Sequence, residues 1–252
     1  MSQAGYAFRD TVEAAGRLGV MARLFEPTSA DFLGLAHDAE LAYDLGCGPG
    51  FTTRLMHRVV EPSRLIGLDA SASFVALARR EFPEFEFALQ DVTSSGFPAG
   101  PADLLYCRML LTHLANPAAV LDVWTGELKP GGLLLVDEVE AIETADPTFA
   151  RYLEVAAALI ASRHGRLYIG AELESLRPAG LHRQTSRGTR LSPPPHAVAA
   201  MFRLNLSVWR DSPDVSVPQA ELDRLDAELY RIASQGGGPI TWTMRQIAYR
   251  RE

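Results

Sequence analysis

Asp44, Asp69 and Asp91 each follow a short apolar run, and the first of them opens Asp44-Leu45-Gly46-Cys47-Gly48-Pro49-Gly50, a loop with glycine at every second position. Glycines so spaced let the backbone take positive φ and let a ligand lie directly against the main chain, where a Cβ would collide. A carboxylate at Asp69 can accept hydrogen bonds from both hydroxyls of a ribose, and it lies about as far beyond the glycines as a ribose-binding acid should. Asp91 can accept from the amino group of an adenine while the Val92 N–H meets a ring nitrogen. Either aspartate alone would be an ordinary turn residue at a strand end. Both in order behind the glycine loop make one three-part nucleoside site.

The elements that must position these residues follow from apolar periodicity. Leu41–Leu45 and Arg64–Asp69 read as strands, as do residues 85–89 and 102–107. Residues 49–60 and 71–80 read as amphipathic helices between them. Asn116-Pro117 is a helix start, with a side-chain cap followed by proline in the first turn. Lys129-Pro130-Gly131-Gly132 reads as a sharp turn into an almost wholly apolar strand at 133–139, of the kind buried on both faces. Such alternation implies a parallel sheet with helices on both faces and a ligand at the carboxyl ends of the strands. Ahead of the sheet, residues 1–36 read as helical, broken by Pro27, with Ser29 capping a second short helix. Beyond residue 140, helices are expected over 144–162, 171–177, 196–210 and 218–234, and strands over Leu181–Leu191 and 240–249.

The composition bounds the partners. The 252 residues are 47% hydrophobic, enough for a full core, and the net charge of −7 makes the chain a poor sequence-independent nucleic-acid binder. Only Lys129 among the 24 basic residues is a lysine, and Cys47 and Cys107 are the only cysteines, so neither a disulfide framework nor a zinc constellation is expected. Residues 1–10 lack an apolar targeting core, and the longest apolar run, 155–161, is far too short to span a bilayer. A cytoplasmic protein without membrane insertion is expected, with a small molecule as partner. The helices at 1–36 and 218–234 could serve a homodimer or cap the monomer.

The glycine spacing separates two cofactors. In the dinucleotide fingerprint G-x-G-x-x-G the third glycine falls where this chain has Phe51. D-x-G-x-G-x-G instead resembles the first motif of the class I S-adenosylmethionine (SAM)-dependent methyltransferases. With Asp69, Asp91, Cys107-Arg108 and Leu128–Gly132 in order, residues 41–139 look like that core, in its ubiquinone/menaquinone-biosynthesis and small-molecule form. The resemblance implies an α/β doubly wound, mostly parallel seven-stranded sheet with helices on both faces, the last strand antiparallel, and a helical lid. It divides the chain into an N-terminal helical cover, 1–36, and a methyltransferase domain, 37–252, with lid insertions within 140–238. It also implies that Asp44, Gly46, Cys47, Gly48 and Gly50 cradle the methionine end of SAM, with Asp44 near its ammonium. Asp69 and Ala70 would take the ribose, Asp91 and Val92 the adenine, and Cys107 would lie beside the methyl group.

Methyl transfer from a sulfonium is an in-line displacement that depends mainly on alignment in a dry site. A phenol or alcohol acceptor also benefits from a base, whereas a carboxylate does not. His113 and Glu138 are the candidate bases, although His113 could equally tether the loop after the fourth strand. Arg108 could meet an acidic substrate or salt-bridge the lid; Tyr152, His164, Tyr168 and Trp209 are candidate substrate contacts or simple packing. Cys107-Arg108-Met109-Leu110 is unlike the motifs for DNA amino groups and RNA cytosine C5, and no well-spaced third acid joins Asp137 and Glu138 in a metal site. Small-molecule O-, N- or C-methylation is the leading expectation. The same fold could serve a non-methylating reaction such as cyclisation, or a SAM-binding accessory protein.

Overall fold

The structure, a computed structural model, describes residues 12–210, 214–215 and 217–252. Five apolar segments form adjacent parallel strands: β1 (Leu41–Leu45), β2 (Arg64–Asp69), β3 (Glu86–Leu89), β4 (Ala102–Arg108) and β5 (Leu128–Thr144). Two later strands, β6 (Leu181–Leu191) and β7 (Ile240–Arg251), complete a seven-stranded sheet of order β3-β2-β1-β4-β5-β7-β6. The last strand, β7, is antiparallel to both of its neighbours, β5 and β6. The expected fold class is therefore the observed one.

The topology sets the site. After β3 the chain returns to the opposite side of β1, so a crevice opens beyond the carboxyl ends of β1 and β4. Leu45 lies in register with Leu68 and with Cys107, which brings Gly46, Asp69 and Arg108 to one rim.

Helices α1 (Val12–Leu33) and α2 (Phe51–Val60) cover one face of the sheet, packing Phe32, Leu33, Leu55 and Met56 against Leu104, Tyr106 and Leu135. On the other face α4 (Pro117–Gly126) and α6 (Gly170–Ser175) bury Leu121, Trp124 and Leu173. Helix α3 (Ala72–Glu81) starts on a Ser71 side-chain cap to Phe74 N, and α4 on the expected Asn116 cap to Ala119 N. A third core lies over the strand ends. There α5 (Pro147–Ala161), α7 (Pro195–Trp209) and α8 (Gln219–Gln235) enclose Phe149, Phe202 and Leu229 with Phe25 of α1 and Trp242 of β7. The apolar stripe Leu222, Leu225, Leu229 and Ile232 of α8 belongs to that core.

Three local expectations need correction. Pro27 does not break the first helix; it lies inside α1, and the neighbouring Thr28 hydroxyl donates to Phe25 O at 3.0 Å. Ser29 is accordingly no cap, and its hydroxyl donates to Asp137 Oδ2 across the core at 2.9 Å. Lys129–Gly132 is an irregularity inside β5: Ala102 pairs with Leu128, but Leu104 already pairs with Leu133. Strand β5 then continues to Thr144 because β7 pairs with it along its whole length, and α5 begins only at Pro147, capped by Asp146. None of the helices among the described residues is long and apolar enough to cross a membrane.

Candidate functional site

The glycine loop takes the strained form its composition permits. Gly46, Gly48 and Gly50 have φ of 67°, 52° and 89°, values that L side chains rarely adopt. They serve different ends. A Cβ on Gly46 would lie 2.7 Å from Leu110 Cδ1, and one on Gly50 2.9 Å from both Phe82 and Phe87, whereas one on Gly48 would meet only Leu18 at 3.6 Å. Gly50 thus lets α2 pack, while Gly48 leaves the main chain bare toward the crevice. Asp69 ties the loop to the next strand: its Oδ2 accepts from Gly48 N and its Oδ1 from Ser71 N, both at 2.8 Å.

A single cavity of about 560 Å³ runs from this loop into the space beneath α5 and α7. Gly46, Cys47, Gly48, Asp69, Ala70, Asp91, Val92, Arg108, His113 and Tyr152 all line it. Asp91 is exposed at the rim, its Oδ1 accepting from Thr93 N and Thr93 Oγ1. Trp124 Nε1 donates to Val92 O at 2.8 Å and so fixes the adjacent backbone. Burial, with Asp44 and Asp69 nearby, pushes the Cys47 thiol well above its ordinary range, so it is a small wall residue and no nucleophile.

Seven expected site residues do not line the cavity. Asp44 lies behind the loop, where Oδ2 accepts both the Thr52 and Thr53 hydroxyls at 2.6 Å; burial raises its carboxyl to about 6 against their pull. Gly50 is spent on packing, as above. Cys107 is fully buried within β4. Trp209 is fully buried behind Tyr152, stacked on it at 5.0 Å, and Tyr168 is 41% exposed outside the wall. Glu138 faces inward from β5, and its Oε1 accepts from Leu110 N and Leu111 N at 2.7 Å each. Burial raises its carboxyl to about 8. It anchors the turn after β4 and does not touch the cavity. His164 also lies outside the wall, at a turn with φ of 65°.

The turn after β4 carries further signs of a constrained site. Met109, which lines the cavity, has φ of 52°, a conformation costing about 1–3 kcal/mol for a non-glycine residue. His113 follows it in the wall, and burial together with the positive charges of Arg17 and Arg163 pushes its imidazole down to about 3. Gly165 locks the turn to the end of α5: Arg166 N donates to Thr112 O at 2.8 Å, and a Cβ on Gly165 would strike that same carbonyl. Gly165→Ala is therefore expected to lower stability by about 1–3 kcal/mol, measurable as a drop in melting temperature.

Sequence reasoning missed Arg17, Met21 and Phe25 on α1, Phe51 on α2, Arg163 after α5, Asn205 on α7 and Trp242 on β7, all of which line the cavity. The spacing 17, 21, 25 marks one helix face and could have signalled the first three. The others come together from separate elements. Among the described residues, no three His, Cys, Asp or Glu side chains are grouped to hold a metal ion.

Residues 43–136 match a family described as methyltransferase domain. A trans-aconitate 2-methyltransferase from Methylobacterium nodulans is 36% identical over 125 residues, 46% of this chain and 48% of that protein. The chain spans less than half the length of the curated relatives it matches first. A putative methyltransferase from Bacillus halodurans superposes with a TM-score of 0.59 at 16% identity, over 88% of this chain and 97% of that one. A SAM-dependent methyltransferase from Thiobacillus denitrificans in complex with S-adenosyl-L-homocysteine (SAH) does so at 0.54 and 18%, over 90% of each chain. The sheet order and the glycine loop described above agree with a methyltransferase domain over residues 43–136.

Proposed function

We propose that this chain transfers the methyl group of SAM to a small organic acid. The observation that carries the proposal is the continuity of one cavity. The bare glycine loop, Asp69 and Asp91 at one end share it with an enclosed, mostly apolar chamber at the other. The loop fits an adenosyl and methionyl group because positive φ at Gly46 and Gly48 keeps side chains out of the space such a ligand needs. Trans-aconitate 2-methyltransferase is the name of several relatives, which supports an acid as acceptor.

When bound, SAM supplies an electrophilic methyl group on a sulfonium. The chain's own residues do the rest. Asp69 would accept from the ribose hydroxyls, and Asp91 with Val92 would hold the adenine. Arg108, whose charge acts on both Asp44 and Asp137, is the cation available to the methionyl carboxylate. Helix α1 contributes Leu18, Met21 and Phe25 to the wall and helps exclude water. In these terms residues 12–36 belong to the cover, whose first eleven residues lie outside the described ones, and the described residues of 37–252 to the catalytic domain, with the lid within 140–238.

Among the described residues the wall offers no strong base. His113 holds its proton too weakly, and Glu138 is sequestered. A carboxylate oxygen, which needs no deprotonation, suits such a site. His113→Gln should keep turnover within about threefold of the parent and leave the pH profile near neutrality in place, whereas loss of a general base would cost about 10²–10⁴. Incubation with methyl-labelled SAM and a panel of organic acids tests the function as a whole. SAH and a labelled methyl ester should appear together; SAM bound without turnover on any acid would contradict it.

A further inference from the structure

The chemistry of the inner chamber narrows the acceptor. Among the described residues lining the cavity, the only acids are Asp69 and Asp91, both at the nucleoside end. The cations are Arg17, Arg108 and Arg163. Arg108 serves the methionyl side, where its Nη1 donates to Ser29 Oγ at 3.3 Å. Arg17 and Arg163 instead line the cavity together with His113, and their positive charge acts on its ring. Arg163 Nη2 pairs with Asp214 Oδ2 at 2.5 Å; Asp214 is exposed and lies outside the wall, so it anchors the guanidinium without filling the chamber. A guanidinium has five N–H donors, enough to keep that anchor and still meet a carboxylate.

The remaining wall is apolar. Phe25, Ile142, Ile160, Met201, Phe202 and Trp242 surround the chamber. Two of its neutral polar side chains are engaged within the protein: the Thr112 hydroxyl donates to Arg166 O, and Asn205 Nδ2 donates to the Tyr152 hydroxyl. Tyr152 and Phe202 stack at 3.7 Å with only 9° between their planes, which presents a flat aromatic surface. One anion site therefore sits beside a large aromatic and aliphatic enclosure. A second or third carboxylate of the same ligand would be buried against carbon without a partner, an unfavourable transfer.

We infer that the acceptor is a monocarboxylic acid with a bulky apolar body, its carboxylate held by Arg17 and Arg163 and its body against Phe25, Phe202 and Trp242. The inference rests on the proposed methyl transfer and deepens it. Arg17, Arg163, Phe202 and Trp242 all lie outside the methyltransferase domain matched at 43–136.

The test is calorimetric titration of the full chain, first with SAH alone and then, with SAH bound, with three probes: 4-phenylbutanoate, 4-phenylbutanamide and trans-aconitate. The acid should bind about tenfold or more tighter than either the amide or trans-aconitate, the margin expected of a charge-assisted contact. Arg163→Gln, at a side chain only 21% exposed, should reduce the acid-to-amide ratio to about threefold or less while SAH affinity and melting temperature stay close to the parent's. Arg17→Gln should reduce the same ratio. Equal binding of acid and amide, tighter binding of trans-aconitate, or an unchanged ratio in Arg163→Gln would overturn the inference and leave SAM binding standing. Failure of SAH to bind the parent chain would overturn the proposed function and this inference with it.

Discussion

Asp69→Ala is expected to weaken SAH binding by about 10- to 100-fold, with the fold intact. The carboxylate holds Gly48 N and Ser71 N at 2.8 Å, and it lines the cavity at the height of the glycine loop. Hydrogen bonds to an ionised group contribute about 1.5–3 kcal/mol each, and about 1.4 kcal/mol is a factor of ten in affinity. Removing the carboxylate both releases the Gly48 amide and deprives a ribose of its acceptor. Asp69→Asn, which keeps the shape but not the charge, should fall between parent and alanine. Calorimetric titration with SAH, paired with a melting curve, separates lost binding from lost folding. An alanine variant within about threefold of the parent would remove Asp69 from the nucleoside site.

Glu138→Gln is expected to stabilise the chain in alkaline solution, and Glu138→Ala to destabilise it at every pH. The carboxyl is fully buried and raised to about 8, so at neutrality it is mostly protonated in the folded chain. In the unfolded chain it ionises near its ordinary value of about 4.3. The folded state therefore binds the extra proton, and its stability falls by about 1.4 kcal/mol per pH unit between the unfolded and folded values. Asp137, also raised by burial, acts in the same direction. Glutamine can still accept from Leu110 N and Leu111 N but has no proton to lose, so the slope should flatten. Alanine leaves two buried amides without their acceptor, at a cost of about 1–3 kcal/mol each. Urea unfolding at pH 6 and pH 8.5 measures both effects. A glutamine variant no more stable than the parent at pH 8.5 would show that the carboxylate is well solvated or paired in the folded chain.

What could be read from the chain was what local geometry dictates. The alternating glycines announce positive φ, and Asp69 and Asp91 follow their strands at short range, so the nucleoside end was legible before any tertiary contact was known. Asn116-Pro117 likewise behaves as its own neighbours require. Long-range partners were not legible. Ser29 looks like a cap until Asp137, 108 residues away, claims its hydroxyl. Pro27 looks like a helix end because nothing local reveals that α1 is held against β5, β6 and α7. Glu138 resembles a catalytic base near a strand end, but its alternation in β5 turns it inward toward the Leu110–Leu111 amides. The acceptor chamber is the extreme case. Arg17, His113, Arg163, Asn205 and Trp242 come from five separate segments, and no spacing in the chain connects them.

The account turns on which nucleoside ligand the glycine loop accepts, since Phe51 in the third glycine slot and a last glycine one position early at Gly50 were the local features against a dinucleotide. In the structure Phe51 sits in the cavity wall and packs edge-on against Phe82 at 5.9 Å. The direct measurement is calorimetric titration of the parent chain with SAH and, separately, with NAD. Saturable binding of one SAH per chain with no heat from NAD is the expected result; binding of NAD without SAH would contradict it.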